Sequence, residues 1–164
     1  MYFGIYARMI LGLAFLFYLC YQAKSDAKSG TVSVFVNDTV LVASAFLSIF
    51  AGADSTLSMA MKIIDSLVLA LGLGIVTYPL KNRGPMMQIG DAKAILAEYL
   101  CGTIVFGIDF SLYAVSFTII IANLAFILES TGKRKKGERK PYFPFLTGGY
   151  AAVLTTFWII TFVL

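Results

Sequence analysis

The chain has 164 residues, of which 59% are apolar and only 13% charged, with a formal net charge of +4. Soluble domains average about 45–50% apolar and about 25% charged residues, so this composition leaves too few polar side chains to cover a water-facing surface and excludes a soluble globule. The chain contains no histidine, which excludes His-ligated metal sites, His general bases and Ser-His-Asp triads.

Six stretches approach the length of about 20 predominantly apolar residues that a transmembrane helix needs. The predicted spans, to within a few residues, are Tyr2–Tyr21, Thr39–Ala53, Ile63–Leu80, Ala92–Gly107, Phe110–Leu128 and Phe145–Leu164. The second and fourth are short, which predicts helices partly sheltered by their neighbours. The first lacks a basic start and a small-residue cleavage site, which favours an uncleaved span over a signal peptide. We expect an all-α, polytopic bundle of about six helices that forms one membrane-embedded domain over residues 1–164, with no soluble domain.

The basic residues are distributed unevenly between the connections. Eleven of the thirteen follow spans 1, 3 and 5: Lys24, Lys28, Lys81, Arg83, Lys93, Lys133, Arg134, Lys135, Lys136, Arg139 and Lys140. The positive-inside rule therefore predicts that these connections are cytoplasmic and that both termini are extracytoplasmic. The cluster after span 5 could suggest nucleic acid, but between two spans it more often sets topology and contacts anionic lipid. We expect the lipid bilayer, and no nucleic acid, as its partner.

Two aspartates lie where predicted spans meet the cytoplasmic face. Asp26 follows span 1 and Asp91 precedes span 4, and because these spans run in opposite directions the two carboxylates share one face and one depth. A pair of carboxylates that shares one proton can carry out aspartyl-protease chemistry without histidine or metal. The alternative is structural: Asp91 is favoured by the dipole of its own helix, and Asp26 offsets Lys24 and Lys28.

Three short sequence blocks resemble one enzyme family. Residues 90–97 (GDAKAILA), 26–33 (DAKSGTVS) and 140–149 (KPYFPFLTGG) are similar, in order, to blocks of the type IV prepilin peptidases, which belong to the GxGD membrane aspartyl proteases. Two residues before Gly90, Gln88 stands where the family pattern has Gly. Where many relatives have Pro-Asn after the first Asp, this chain has Ser33-Val34, and the nearest asparagine is Asn37.

The resemblance implies an aspartic endopeptidase in the cytoplasmic membrane of a prokaryote, with its active site facing the cytoplasm. Its substrate would be a prepilin-like protein whose short basic leader is removed just before an apolar helix. Asp26 and Asp91 would be catalytic, Lys28 would be the basic residue after the first Asp, and no cofactor or metal would be needed. Larger members also carry a CxxC-containing domain and methylate the new N-terminus. This chain has neither the length nor the cysteines for that domain, so we expect the peptidase-only form.

Three further residues surround the predicted pair. Gly90 lets the backbone bend before Asp91 and leaves room for a second helix or a substrate segment. Lys93 either tunes the pair or extends to the membrane interface, and the second interpretation is favoured. Glu98 lies two turns deeper than Asp91 on roughly the same helix face. It either lines a cavity above the pair or, as we favour, makes a buried hydrogen bond to a Tyr or Ser of a neighbouring helix.

Two other functions remain open on sequence grounds. Gln88 keeps open a catalytically inactive family member that acts as an assembly scaffold. Glu98 together with Asp65 could instead form a proton or cation path in a small multi-helix transporter component.

Overall fold

The computed structural model describes residues 4–50, 56–77, 88–130 and 141–163, and all regular secondary structure in these ranges is helical. The helices are α1 (Ile5–Ser29), α2 (Val34–Phe50), α3 (Thr56–Thr77), α4 (Ile89–Val105), α5 (Ile108–Ser130) and α6 (Phe143–Val163). Four of them, α1, α3, α5 and α6, contain stretches long and apolar enough to cross a membrane. The prediction of an all-α membrane bundle of six helices is confirmed.

The helices extend beyond the apolar runs from which they were predicted. α1 continues eight residues past Tyr21 to Ser29, and α3 begins at Thr56, seven residues before Ile63. Hydropathy reports where a chain crosses hydrocarbon, whereas a helix continues into the interface as long as its backbone hydrogen bonds are favourable. Parts of the first, second, third and last predicted spans lie outside the described residues.

The end of α1 is defined by a glycine. Gly30 adopts a left-handed conformation (φ 65°), and its N–H donates to the carbonyl of Asp26 at 2.8 Å. This is the usual way in which a glycine terminates a helix, because a Cβ is disfavoured at positive φ. The termination places Asp26 in the last turn of α1, still inside the packed bundle.

α4 is the central helix. It packs against α1, α2, α3 and α5, and eleven of its 17 residues are buried, including Ile95, Tyr99 and Val105. The shelter predicted for the fourth span is therefore confirmed. α2 is sheltered on one face only: it buries the polar Asn37, Ser44 and Ser48, whereas apolar side chains such as Phe46 are exposed.

α1 and α6 pack closely through a glycine and an aromatic cluster. A Cβ on Gly12 would lie 2.9 Å from Leu154, and the hydroxyl of Tyr150 lies 3.5 Å from the Gly12 carbonyl. The ring of Phe15 meets that of Tyr150 at 5.2 Å between centroids. Close approach at small residues is typical of membrane helices, whose association depends on packing rather than on burial from water.

Candidate functional site

One end of the bundle brings together the end of α1 and the beginnings of α2, α4 and α6. Gln22 of α1 exchanges hydrogen bonds with the backbone of Ser33, just before α2. Asn37 of α2 donates to the carbonyl of Gly90 in the first turn of α4. The structure therefore places Asp26 and Asp91 at the same end of the bundle. Whether their carboxylates share a cavity, within about 4–8 Å as water-bridged chemistry requires, stays a prediction.

Asp26 contacts the beginning of another helix. Its side chain is only 3% exposed, and its Oδ2 accepts a hydrogen bond of 3.2 Å from the backbone N–H of Phe143, the first residue of α6. A helix N-terminus carries partial positive charge, so an acidic side chain is favourably placed at the beginning of α6. Lys24 and Lys28 are both exposed, and in the described part of the chain neither forms an ion pair with Asp26. The described part of the structure therefore shows no direct contact behind the interpretation that Asp26 offsets these lysines, which stays a prediction.

Asp91 occupies the third position of its own helix. It is 5% exposed, and its Oδ2 accepts from the backbone N–H of Gln88 at 3.4 Å. This is one half of a capping box, in which a side chain in the first turn satisfies a backbone donor that the helix cannot. The alternative interpretation of Asp91 as a helix N-terminal residue thus holds. It is compatible with catalysis, because a carboxylate has several acceptor positions.

A buried polar network lies beside the two aspartates. Asn37 is only 1% exposed. Its side-chain oxygen Oδ1 accepts hydrogen bonds from the Tyr18 hydroxyl and from Gln22 Nε2, both at 2.7 Å. Its amide nitrogen donates to the Gly90 carbonyl at 3.1 Å. Sequence reasoning missed Tyr18 and Gln22. They and Asp26 follow one another at intervals of four residues, so polar groups on one face of α1 were the available signal.

Gly90 is tightly packed. A Cβ at this position would lie 2.4 Å from Val32 Cγ2 and 3.4 Å from Asn37 Nδ2. The space predicted for a second helix or a substrate segment is therefore occupied by the α1–α2 connection and by α2. Gly90 allows α4 to begin directly against these segments.

One of the predicted supporting residues, Lys93, has a partner that the sequence did not predict. Lys93 forms an ion pair with Asp38, which joins α4 to α2. The sequence offered two interpretations of Lys93, that it tunes the aspartate pair or that it extends to the membrane interface. Neither interpretation included Asp38 as a partner. Lys28, in the last turn of α1, is exposed.

Glu98 is completely buried, and neither carboxyl oxygen has a hydrogen-bond partner among the described residues. The expected hydrogen bond to a Tyr or Ser is therefore absent from the part of the chain that the structure describes. The hydroxyl of Thr118 on α5 lies close to Glu98 and is likewise buried without a hydrogen-bond partner among the described residues.

The residue that precedes α6 lies near both aspartates. Burial raises the pKa of Tyr142 to about 12, and the negative charges of Asp91 and Glu98 add to this effect. The Tyr142 hydroxyl donates to Asn123 Oδ1 at 3.2 Å. The next residue, Phe143, donates its backbone N–H to Asp26. Two adjacent residues at the beginning of α6 therefore interact with the two aspartates: Phe143 by a hydrogen bond to Asp26, and Tyr142 through the charge of Asp91.

Among the described residues, no group of three or more His, Cys, Asp and Glu side chains could hold a metal ion. Most of the predicted basic connections lie outside the described residues: Lys81, Arg83, Lys133, Arg134, Lys135, Lys136, Arg139 and Lys140.

Comparisons with protein-family models, with curated proteins and with solved structures find no match to this chain.

Proposed function

We propose that the protein is a membrane aspartic endopeptidase that removes the short basic leader of prepilin-like substrates, with Asp26 and Asp91 as the catalytic pair. One observation carries the proposal. Two carboxylates that are 65 residues apart in sequence are both buried at the same end of the bundle, where the end of α1 meets the beginnings of α4 and α6. The resemblance of the three sequence blocks supplies the substrate class.

The proposed chemistry needs one ionised and one protonated carboxyl group. The ionised carboxylate takes a proton from water while the resulting hydroxide attacks the scissile carbonyl carbon, and the protonated carboxyl gives its proton to the carbonyl oxygen. As the tetrahedral intermediate collapses and the C–N bond breaks, the first carboxyl gives the nitrogen the proton that it took from water. The second carboxylate takes a proton back from a hydroxyl of the intermediate as the C=O bond re-forms, which restores the starting pair. Backbone N–H donors of Phe143 and Gln88 hold the two side chains in place during this sequence.

We further propose that this end of the bundle faces the cytoplasm of a prokaryotic cell, with both termini on the opposite side. The support is the charge distribution of the sequence, in which eleven of the thirteen basic residues follow the predicted spans 1, 3 and 5. A substrate leader would then meet the aspartates where its apolar helix enters the membrane.

Co-expression with a prepilin-like substrate tests the proposal, with leader removal read as a mobility shift. Asp26→Asn and Asp91→Asn should each abolish cleavage while the protein remains folded and inserted, because Asn can neither accept the proton from water nor share one. The double variant should be no worse than either single variant, since residues that act as a unit are not additive. Asp109→Asn, at the exposed beginning of α5, is the matched control and should cleave normally. Robust cleavage by either catalytic variant would overturn the proposal.

The other two functions make different predictions in the same assay. An inactive scaffold would leave the substrate uncut, and Gln88→Gly, which restores the family pattern, would then be the variant to gain cleavage. A transporter component would need Asp65 and Glu98 on a common path. The hydroxyl of Tyr99 donates to Asp65 at 3.2 Å, whereas Glu98 has no hydrogen bond in the described chain, so no described contact links the two acids.

A further inference from the structure

We propose that Asn37 is a positioning residue that sets the spacing between Asp26 and Asp91 by fixing the beginning of α4 against α1. The proposal rests on the peptidase function for its catalytic consequence, and on the hydrogen bonds of Asn37 for the positioning itself. The side chain of Asn37 bonds to both helices that carry the aspartates.

The connection to α4 is made at the residue before Asp91. The Asn37 amide donates to the carbonyl of Gly90 at 3.1 Å, and this carbonyl belongs to the peptide unit whose nitrogen is that of Asp91. Gly90 has no side chain with which to resist a shift of that peptide, so the hydrogen bond and the contact with Val32 determine where α4 begins.

The connection to α1 is made on the face that carries Asp26. Tyr18 and Gln22 both donate to the side-chain oxygen Oδ1 of Asn37 at 2.7 Å. Asp26 lies one turn beyond Gln22 on the same face of α1. All three polar groups of the network are buried. Buried hydrogen bonds that are fully satisfied fix a unique arrangement, because a displaced partner would leave a polar group unpaired.

Spacing matters to the proposed chemistry because it controls how strongly the two carboxyl groups interact. Two close carboxyl groups lose their protons in separate steps, and the singly protonated pair exists over the pH range between these steps. If the pair moves apart, the steps converge and the active pH range narrows from both sides. Misplacement of a catalytic group by about 1 Å lowers kcat by up to about 100-fold.

Asn37→Leu tests the positioning directly, because leucine has a similar size but no group that can donate or accept a hydrogen bond. Spin labels at Ala27→Cys and Ile89→Cys, both at exposed positions near the ends of α1 and α4, report the spacing by pulsed electron paramagnetic resonance in a Cys20→Ser, Cys101→Ser background. We expect a narrow distance distribution with Asn37 and a longer or broader one with Asn37→Leu. Thr39→Val, on the exposed face of the same helix, should leave the distribution unchanged.

The same variants are then assayed for leader cleavage against pH. Asn37→Leu should lower kcat by about 10- to 100-fold, leave KM within about threefold and narrow the active pH range. Around the aspartate pair, the other ionisable side chains are the same in every variant, so they do not account for a change in the pH range: Tyr18, Asp38, Lys93, Glu98 and Tyr142. If Asn37 only stabilised the fold, Asn37→Leu would lower the activity by the same factor at every pH and leave the active pH range unchanged.

The outcomes separate the two proposals. An unchanged distance distribution, or an unchanged pH range in folded Asn37→Leu protein, would overturn the positioning role. Should Asn37→Leu fail to fold, Asn37→Gln keeps the amide one methylene further out, and the same two readouts must change in the same direction. A changed distance distribution in a protein that never cleaves a prepilin would leave the positioning role standing and overturn the peptidase function.

Discussion

At the scale of single residues, the two aspartates combine a structural contact with the proposed catalytic role. Asp26 holds the first N–H of α6, and Asp91 holds the N–H of Gln88. Such contacts fix the carboxylate orientation, which is what a shared-proton pair requires. They also mean that each side chain has a reason to be buried whether or not it is catalytic, so loss of cleavage in a folded Asn variant is the decisive observation.

Gly90 should not tolerate a side chain. Gly90→Ala places a Cβ 2.4 Å from Val32 Cγ2, and relief of this overlap should cost about 1–3 kcal/mol of unfolding free energy. Thermal unfolding in detergent measures the loss. The double variant Gly90→Ala, Val32→Ala removes the colliding methyl group and should recover most of it. A single variant as stable as the parent protein would contradict the packing described for the beginning of α4.

Glu98 should be dispensable for stability. Its carboxyl group is buried with no hydrogen-bond partner in the described chain, and an unsatisfied buried polar group costs about 1–3 kcal/mol. Glu98→Leu should therefore raise the melting temperature. Asp65→Leu is the contrasting variant and should lower it, because the Tyr99 hydroxyl loses its acceptor. Destabilisation by Glu98→Leu would show that the carboxyl has a partner within the folded protein.

At the scale of helices, burial separates α4 from the others. α4 exposes few side chains although it contains Asp91, Lys93 and Glu98, because α1, α2, α3 and α5 pack around it. Of these three residues, Lys93 has a partner on a neighbouring helix, Asp38 of α2. α3 lies at the edge of the bundle, where side chains such as Ile64 and Leu71 are exposed. Lys62 of α3 is buried and donates to the Ser48 carbonyl at 3.0 Å, in the last turn of α2, where the helix carbonyls lack partners of their own.

The contact between α5 and α6 depends on Gly149. A Cβ there would lie 2.5 Å from the backbone oxygen of Thr118, and backbone cannot move as a side chain end can. Gly149→Ala should therefore separate the two helices and lower the melting temperature in detergent. The adjacent Gly148 has nothing within 4 Å of an added Cβ, so Gly148→Ala should be neutral or stabilising by up to about 1 kcal/mol. Equal effects of the two substitutions would contradict this helix contact.

At the scale of the whole molecule, the hydrogen bonds establish which helix ends meet. The end of α1 and the beginnings of α2, α4 and α6 lie together, as an alternating up-and-down bundle requires. The turn at Gly107 joins α4 to α5 at the opposite end, with a positive φ of 88° that favours glycine.

Cysteine labelling in intact cells tests the proposed orientation. In a Cys20→Ser, Cys101→Ser background, a membrane-impermeant maleimide should label Asp109→Cys, which lies at the beginning of α5, without permeabilisation. Ala27→Cys, at the end of α1, should react only after permeabilisation. Both positions are exposed, so accessibility of the side chain does not distinguish them. The reversed pattern would place the aspartates on the extracytoplasmic side.

The sequence by itself determined that the protein is an all-α membrane bundle, the number and order of its helices, and that Asp26 and Asp91 lie at the same end of the bundle. These follow from hydropathy and from alternation of direction, which need no knowledge of packing. Only the tertiary structure decided that Asn37 joins α1 to α4, that Lys93 pairs with Asp38, and that no described residue forms a hydrogen bond with the Glu98 carboxyl group. A side chain's partner depends on the rotation and register of neighbouring helices, and these are set by close contacts such as that of Gly90 with Val32, which an amino-acid pattern along one chain does not encode.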